Sequence, residues 1–245
     1  FNIVLAWIEY SNRSLGVLVG LSIIVLNIIA IYYFRKETKL LISAILSLIL
    51  VVANGGLGAI VVSSILNPFL VSLHMILALM LVSVLSYACI ESYKLIHEDK
   101  FKNLQGSRTL SNSLILFWLL IFIEILLGTG IRTNLELISI DNPLLSKGEL
   151  LNALDSYKYF HSFLGFTLLF LSIYIYAKLK NHNLFIAKFL GIFILGMIIV
   201  QIFLGEMMVF FELPQLTRLF HTWGSSWLVG VIIILYNCIS NERSK

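Results

Sequence analysis

The sequence predicts an all-α integral membrane protein built as two pseudosymmetric four-helix transmembrane bundles. Eight spans are expected in the full protein, and seven are visible in this numbering. Three observations carry that prediction. The chain is 59% hydrophobic and 12% charged, with a mean hydropathy of +0.97. A composition so apolar over 245 residues marks the bilayer as the solvent. From Leu40 to Ile90 there is no Asp, Glu, Lys or Arg, which is room for two spans with a turn at Asn67-Pro68. Finally, the chain repeats itself. Leu57-Gly58 leads to His74 and Leu204-Gly205 leads to His221, with 16 residues from glycine to histidine each time. Asn12 precedes Gly16 by 4, and His161 precedes Gly165 by the same 4. A shift of about 147–149 residues lays His74 on His221 and Asn12 on His161.

The spans follow in order from length and freedom from charge. They are Ser14–Phe34, Leu40–Leu66, Phe69–Ile90, Asn112–Ile131, Tyr159–Ala177, Leu184–Phe211 and Leu219–Ile239. Inside a bilayer every backbone amide must be bonded within its own segment, so these read as helices. The second half holds four of them and the first half three. The repeat therefore calls for a first helix ahead of Ser14, before this numbering begins. Residues 1–108 form the N-terminal bundle in this reading, and residues 109–245 the C-terminal bundle. The outer loop contains Ser146-Lys147-Gly148-Glu149, a capping-box spacing that predicts a short helix on the membrane surface.

Basic residues assign the sides. Arg35, Lys36 and Lys39 lie in the first connection, and Lys94, Lys100, Lys102 and Arg108 in the third. Lys178, Lys180 and Lys188 flank the fifth, and Arg243 and Lys245 end the chain. The alternate connections are poor in Lys and Arg, or offset them with Glu136, Asp141, Glu149 and Asp155. Positive-inside counting puts the C-terminus in the cytoplasm and Phe1 outside. The net charge of +4 is accounted for by these loops and is no nucleic-acid signal. Cys89 and Cys238 have no CxxC spacing and read as apolar packing residues. His97 and His182 read as solvated loop residues.

Asn12, His74, His161 and His221 then share the outer part of the membrane. Two imidazoles facing each other in a four-helix bundle suit axial ligation of a heme iron. An isolated interfacial histidine more simply hydrogen-bonds where it stands, but a repeated set with flanking Leu-Gly favours ligation. Zinc needs three or four ligands close together, and each site here offers two. Gly55, Gly56, Gly58, Gly128, Gly130, Gly165, Gly205 and Gly224 remove bulk, either for a flat ligand or for close helix packing. Arg13 and Arg132, at outer helix ends, would pair with heme propionates or snorkel to lipid headgroups. Glu9 lies one turn before Asn12, on its face, where a carboxylate can move protons. Glu124 falls inside the membrane and is expected to be neutral or hydrogen-bonded. Glu206 and Glu212 read as interfacial.

These residues carry a resemblance. Trp7-Ile8-Glu9-Tyr10-Ser11-Asn12-Arg13 followed by Leu15-Gly16 is similar to the Glu-x-x-His-Arg signature of the heme A synthase family. Asn54–Gly58 through Asn67-Pro68 to Leu73-His74 resembles that family's third and fourth helices. Gln201–Gly205 through Leu213-Pro214 to Phe220-His221 resembles its seventh and eighth. Leu127–Arg132 resembles its fifth, with Glu124 where a Gln is common. The resemblance covers essentially the whole chain.

It implies an oxidoreductase that converts heme O to heme A by successive hydroxylations of a porphyrin methyl, for use in cytochrome oxidase. By the same resemblance, His161 and His221 would hold a heme b cofactor, with Arg132 beside it. His74, Asn12 and Arg13 would flank the substrate heme O, and Glu9 would be catalytic. Asn12 departs from the family pattern, since Asn is a poor iron ligand. Either His74 alone would then hold the substrate iron, the favoured reading, or this bundle is inactive. The outer loop of the second half also lacks the cysteines of some members. The implied partners are heme O, heme O synthase, cytochrome oxidase subunits and membrane lipid, with no nucleic acid and an oligomer allowed. The implied location is a bacterial-type inner membrane, with the heme sites toward the outer face. Two alternatives stay open. One is a membrane b-type cytochrome exchanging electrons with quinone, which Asn12 disfavours. The other is a non-catalytic heme carrier for oxidase assembly, in which Glu9 would be dispensable.

Overall fold

The computed structural model describes residues 3–64, 67–101, 107–154 and 156–240. Lys102, Asp155, Arg243 and Lys245 of the charge reading lie outside them, as does the side chain of Lys100. Every regular element among the described residues is a helix: α1 (Ile3–Tyr33), α2 (Thr38–Ser63), α3 (Pro68–Ile96), α4 (Glu98–Phe101), α5 (Arg108–Asp141), α6 (Lys147–Asn152), α7 (Tyr157–Leu179), α8 (Phe185–Phe210) and α9 (Gln215–Ile239). Seven of these are long and apolar enough to cross a bilayer, as the charge-free segments predicted. Large apolar residues cover their outer faces, and Tyr32, Tyr33, Trp7, Tyr10, Phe210, Phe211 and Trp223 project near helix ends. Aromatic rings at such positions suit the two bilayer interfaces.

The chain divides into two compact units, Phe1–Leu95 and Ile96–Lys245. In the second, α5 packs on α7, α7 on α8, α8 on α9 and α9 back on α5, which closes a four-helix ring. Its core is a set of helical stripes. Leu114, Phe117 and Ile121 come from α5, and Leu168, Ser172, Ile175 and Leu179 from α7. Ala187, Ile194 and Ile198 come from α8, and Leu228, Ile232, Leu235 and Ile239 from α9. Steps of three and four residues keep one face toward the neighbours, as in coiled-coil-like bundles. A Cβ at Gly191 would sit 2.9 Å from Leu179 Cδ1, so glycine sets the approach of α8 to α7.

In the first unit a buried amide joins two spans. Asn27 Nδ2 on α1 donates to Ala44 O on α2 at 2.8 Å and to Ile23 O at 2.9 Å. At one end of α2, Lys39 Nζ lies 3.7 Å from Glu91 Oε2 on α3, and Lys94 caps the same carboxylate at 3.0 Å. At the other end, Gly58 meets His74.

Several local expectations change. α1 begins at Ile3, so Glu9, Asn12 and Arg13 are mid-helix rather than in a lead-in to Ser14. α5 continues to Asp141, so Arg132 is not at a helix end. Half-buried Leu135, Ile138 and Ser139 keep a packed stripe on that extension, which holds the helix together beyond the apolar segment. Cys238 is buried as read, but Cys89 is exposed on α3. His182 is not simply solvated: its Nδ1 accepts the N–H of Leu184 at 3.1 Å and so caps the turn into α8. Partial burial, with Lys188 nearby, lowers its pKa below the usual imidazole value.

The capping box forms as predicted. Ser146 Oγ accepts from Glu149 N, and the Glu149 carboxylate accepts from Ser146 N at 2.8 Å. Bonds from the Ser146 side chain and backbone hold the Glu149 carboxyl below its ordinary value. The α8–α9 turn uses two left-handed residues, Glu212 (φ 53°) and Leu213 (φ 63°). Leu213 N closes back on Met208 O at 2.8 Å, and Pro214 then starts α9.

Candidate functional site

Polar residues of α5 and α7 interlock near one end of the second unit. Glu124 and Gly128 are one turn apart on α5, and His161 and Gly165 are one turn apart on α7. The two helices run in opposite directions, so Glu124 falls opposite Gly165 and Gly128 opposite His161. A Cβ at Gly128 would lie 3.3 Å from His161 Cε1, and one at Gly165 would lie 3.4 Å from Glu124 Oε1. Each large polar side chain thus lies over a glycine, and the two meet. His161 Nδ1 is 3.2 Å from Glu124 Oε1, short of hydrogen-bond alignment.

α8 and α9 complete the site. A Cβ at Gly205 would sit 3.8 Å from His221 Cε1. His221 then faces His161, with ring centroids 6.3 Å apart and planes at 64°. One turn below, Gln201 on α8 lies over Gly224, where any Cβ would overlap its amide and stand 3.1 Å from Met197 Cε. Ser225 Oγ donates to Gln201 Oε1 at 3.4 Å and to His221 O at 2.9 Å.

In the first unit the same glycine–histidine pairing recurs. A Cβ at Gly58 would lie 3.2 Å from His74 Cε1. On α1, Arg13 Nη2 donates to Glu9 Oε1, one turn before it, and both are largely exposed. Asn12 is exposed on the same helix. Among the described residues no hydrogen bond or ring contact joins Asn12 to His74. Gly16, the counterpart of Gly165, has no atom within 4 Å of an added Cβ. Arg132 is exposed on α5.

The Nδ1 atoms of His74, His161 and His221 are buried without a hydrogen-bond partner, as are Glu124 Oε2, Gln201 Nε2 and Asn54 Oδ1. Leaving such an atom unsatisfied costs about 1–3 kcal/mol. Three of them are ring nitrogens of histidines that each lie against a glycine. The donor set fits a heme. His161 and His221 face each other with ring centroids 6.3 Å apart, and they are the residues that would hold it. Two residues were legible as polar but not as partners. Glu124 had no assigned neighbour in the sequence, and Gln201 stood only inside a motif. A matching signal existed: Glu124-x-x-x-Gly128 on one helix and His161-x-x-x-Gly165 on the next.

Fold and site together define a polytopic helical membrane protein with paired histidines set into its spans. A family model described as cytochrome oxidase assembly protein matches residues 1–233. The chain belongs to that COX15-CtaA family, the heme A synthases, which are oxidoreductases serving cytochrome oxidase assembly. Neither the comparison with curated proteins nor that with solved structures gave a match.

Proposed function

We propose that this protein oxidises the porphyrin methyl of heme O to the formyl of heme A. The substrate site lies in the first unit and a heme b site in the second. The observation that supports this best is the facing pair His161 and His221, with ring centroids 6.3 Å apart and a glycine against the Cε1 edge of each ring. When bound, heme b supplies one-electron transfer. The chain's part is to hold and to orient. His161 on α7 and His221 on α9 would hold it, and Gly128 and Gly205 leave room for their rings against α5 and α8. His74, seated over Gly58, holds the substrate iron from one side. With Asn12 in place of a second imidazole, the substrate iron would have His74 alone, which suits a heme that must enter and leave. Glu9 would be the proton acceptor beside the substrate, and Arg13 fixes that carboxylate by its hydrogen bond. The sites face the outer side of a bacterial-type inner membrane, with the C-terminus in the cytoplasm. Oxidase subunits, and the enzyme that makes heme O, are the partners of this reading.

The test is heme extraction from cells that make heme O, with and without the full-length protein. Heme A, or a hydroxylated heme O, is the expected product. Recovery of unmodified heme O and heme b alone would overturn the enzyme in favour of a carrier or cytochrome.

A further inference from the structure

We infer that Glu124 is a positioning residue for the heme b site: its carboxyl accepts the Nδ1–H of His161, orients that imidazole and strengthens it as a ligand. This rests on His161 being a heme ligand, as proposed above. Three observations carry it. Glu124 Oε1 is the polar atom at His161 Nδ1, 3.2 Å away, with the two side chains only 17% and 23% exposed. His161 Nδ1 and Glu124 Oε2 have no hydrogen-bond partner among the described residues, so nothing there competes for either group. The glycines are placed to permit the pair. Gly165 leaves the space that Glu124 occupies, and Gly128 leaves the space behind His161.

His221 differs. Its Nδ1 is also without a hydrogen-bond partner, and among the described residues the polar groups acting on its ring are the Gln201 backbone and His161, with no carboxylate. The two ligands of one iron are therefore unequal. A histidine that donates its second N–H to a carboxyl is the more basic ligand, with its tautomer and ring plane fixed. More electron donation stabilises the oxidised iron, so Glu124 holds the heme b at a lower potential than a neutral amide would.

The experiment uses the full-length, heme-loaded protein purified from the membrane. Heme b midpoint potential and low-spin EPR g-values are compared between wild type and Glu124→Gln, which keeps shape and replaces the carboxyl with an amide. The expected result is a positive shift of potential and altered g-values at unchanged heme b content. Glu124→Asp, which withdraws the carboxyl by one methylene, should shift the potential in the same direction by less. It supplies the reading if the Gln variant does not accumulate. A loaded wild type with a low-spin bis-histidine spectrum, and variants of identical potential and g-values, would overturn the role of Glu124 alone. A wild type whose heme spectrum is unaffected by replacing His161 would overturn the ligand assignment and this inference together.

Discussion

At the scale of single residues, the two units ask different things of their polar groups. Glu9 is exposed and, among the described residues, paired with Arg13 on its own helix. The proposed function makes this carboxylate the general base. Glu9→Gln should lower heme A formation by roughly 10²–10⁴-fold, the usual range for a lost general base. Heme content should not change, and extracted-heme chromatography reads both. Asn12 is open to the reverse experiment. Asn12→His supplies a second imidazole on α1, where the family signature has one. The expected outcome is tighter retention of the substrate-side heme through purification, read as a second low-spin component in the absorption spectrum. No such component, in a protein loaded at His161 and His221, would remove position 12 from the substrate site.

At the scale of elements, glycines decide how closely helices and rings approach. Gly191→Ala puts a methyl 2.9 Å from Leu179 Cδ1 and 3.3 Å from its Cβ, in the core of the α7–α8 contact. Overpacking of that kind costs about 1–3 kcal/mol, so the variant should lose thermal stability in detergent. Gly128→Leu should act differently. It fills the space behind His161 and should abolish the low-spin heme spectrum while the helices still form by circular dichroism. The short helix α6 offers a pH-linked test. The Glu149 carboxyl is held below its ordinary value by Ser146. Its folded pKa is depressed, so its contribution to α6 is present above the unfolded carboxyl value. That contribution is lost as pH falls through the folded one. Ser146→Ala should raise the Glu149 pKa toward the ordinary value, followed by carboxyl NMR titration.

At the scale of the whole molecule, each unit has its own glycine-backed histidine and its own internal ties. The two heme sites of the proposed function should therefore fail separately. His74→Ala should stop heme O turnover and leave the spectrum assigned to His161 and His221 intact. His161→Ala should remove that spectrum and leave heme O binding in the first unit. Loss of both signals in either variant would mean the two sites are not independent.

The seven spans were legible because membrane insertion reads a local property, the length of an uninterrupted apolar run. The α6 capping box was legible for the same reason, since its partners are three residues apart. The repeat of glycine and histidine was visible as spacing, and it does place Gly58 on His74 and Gly205 on His221. What tertiary structure alone decided is the register between helices that are distant in sequence. Glu124 and His161 are separated by a long loop, and only the antiparallel packing of α5 on α7 sets one opposite the other. The length of α5 past Arg132, and the capping role of His182, were likewise settled by neighbours. Hydropathy is a sum along the chain, and so the sequence alone determined which segments cross the bilayer. Contact between helices depends on where the loops return them, and so the fold decided which polar groups meet.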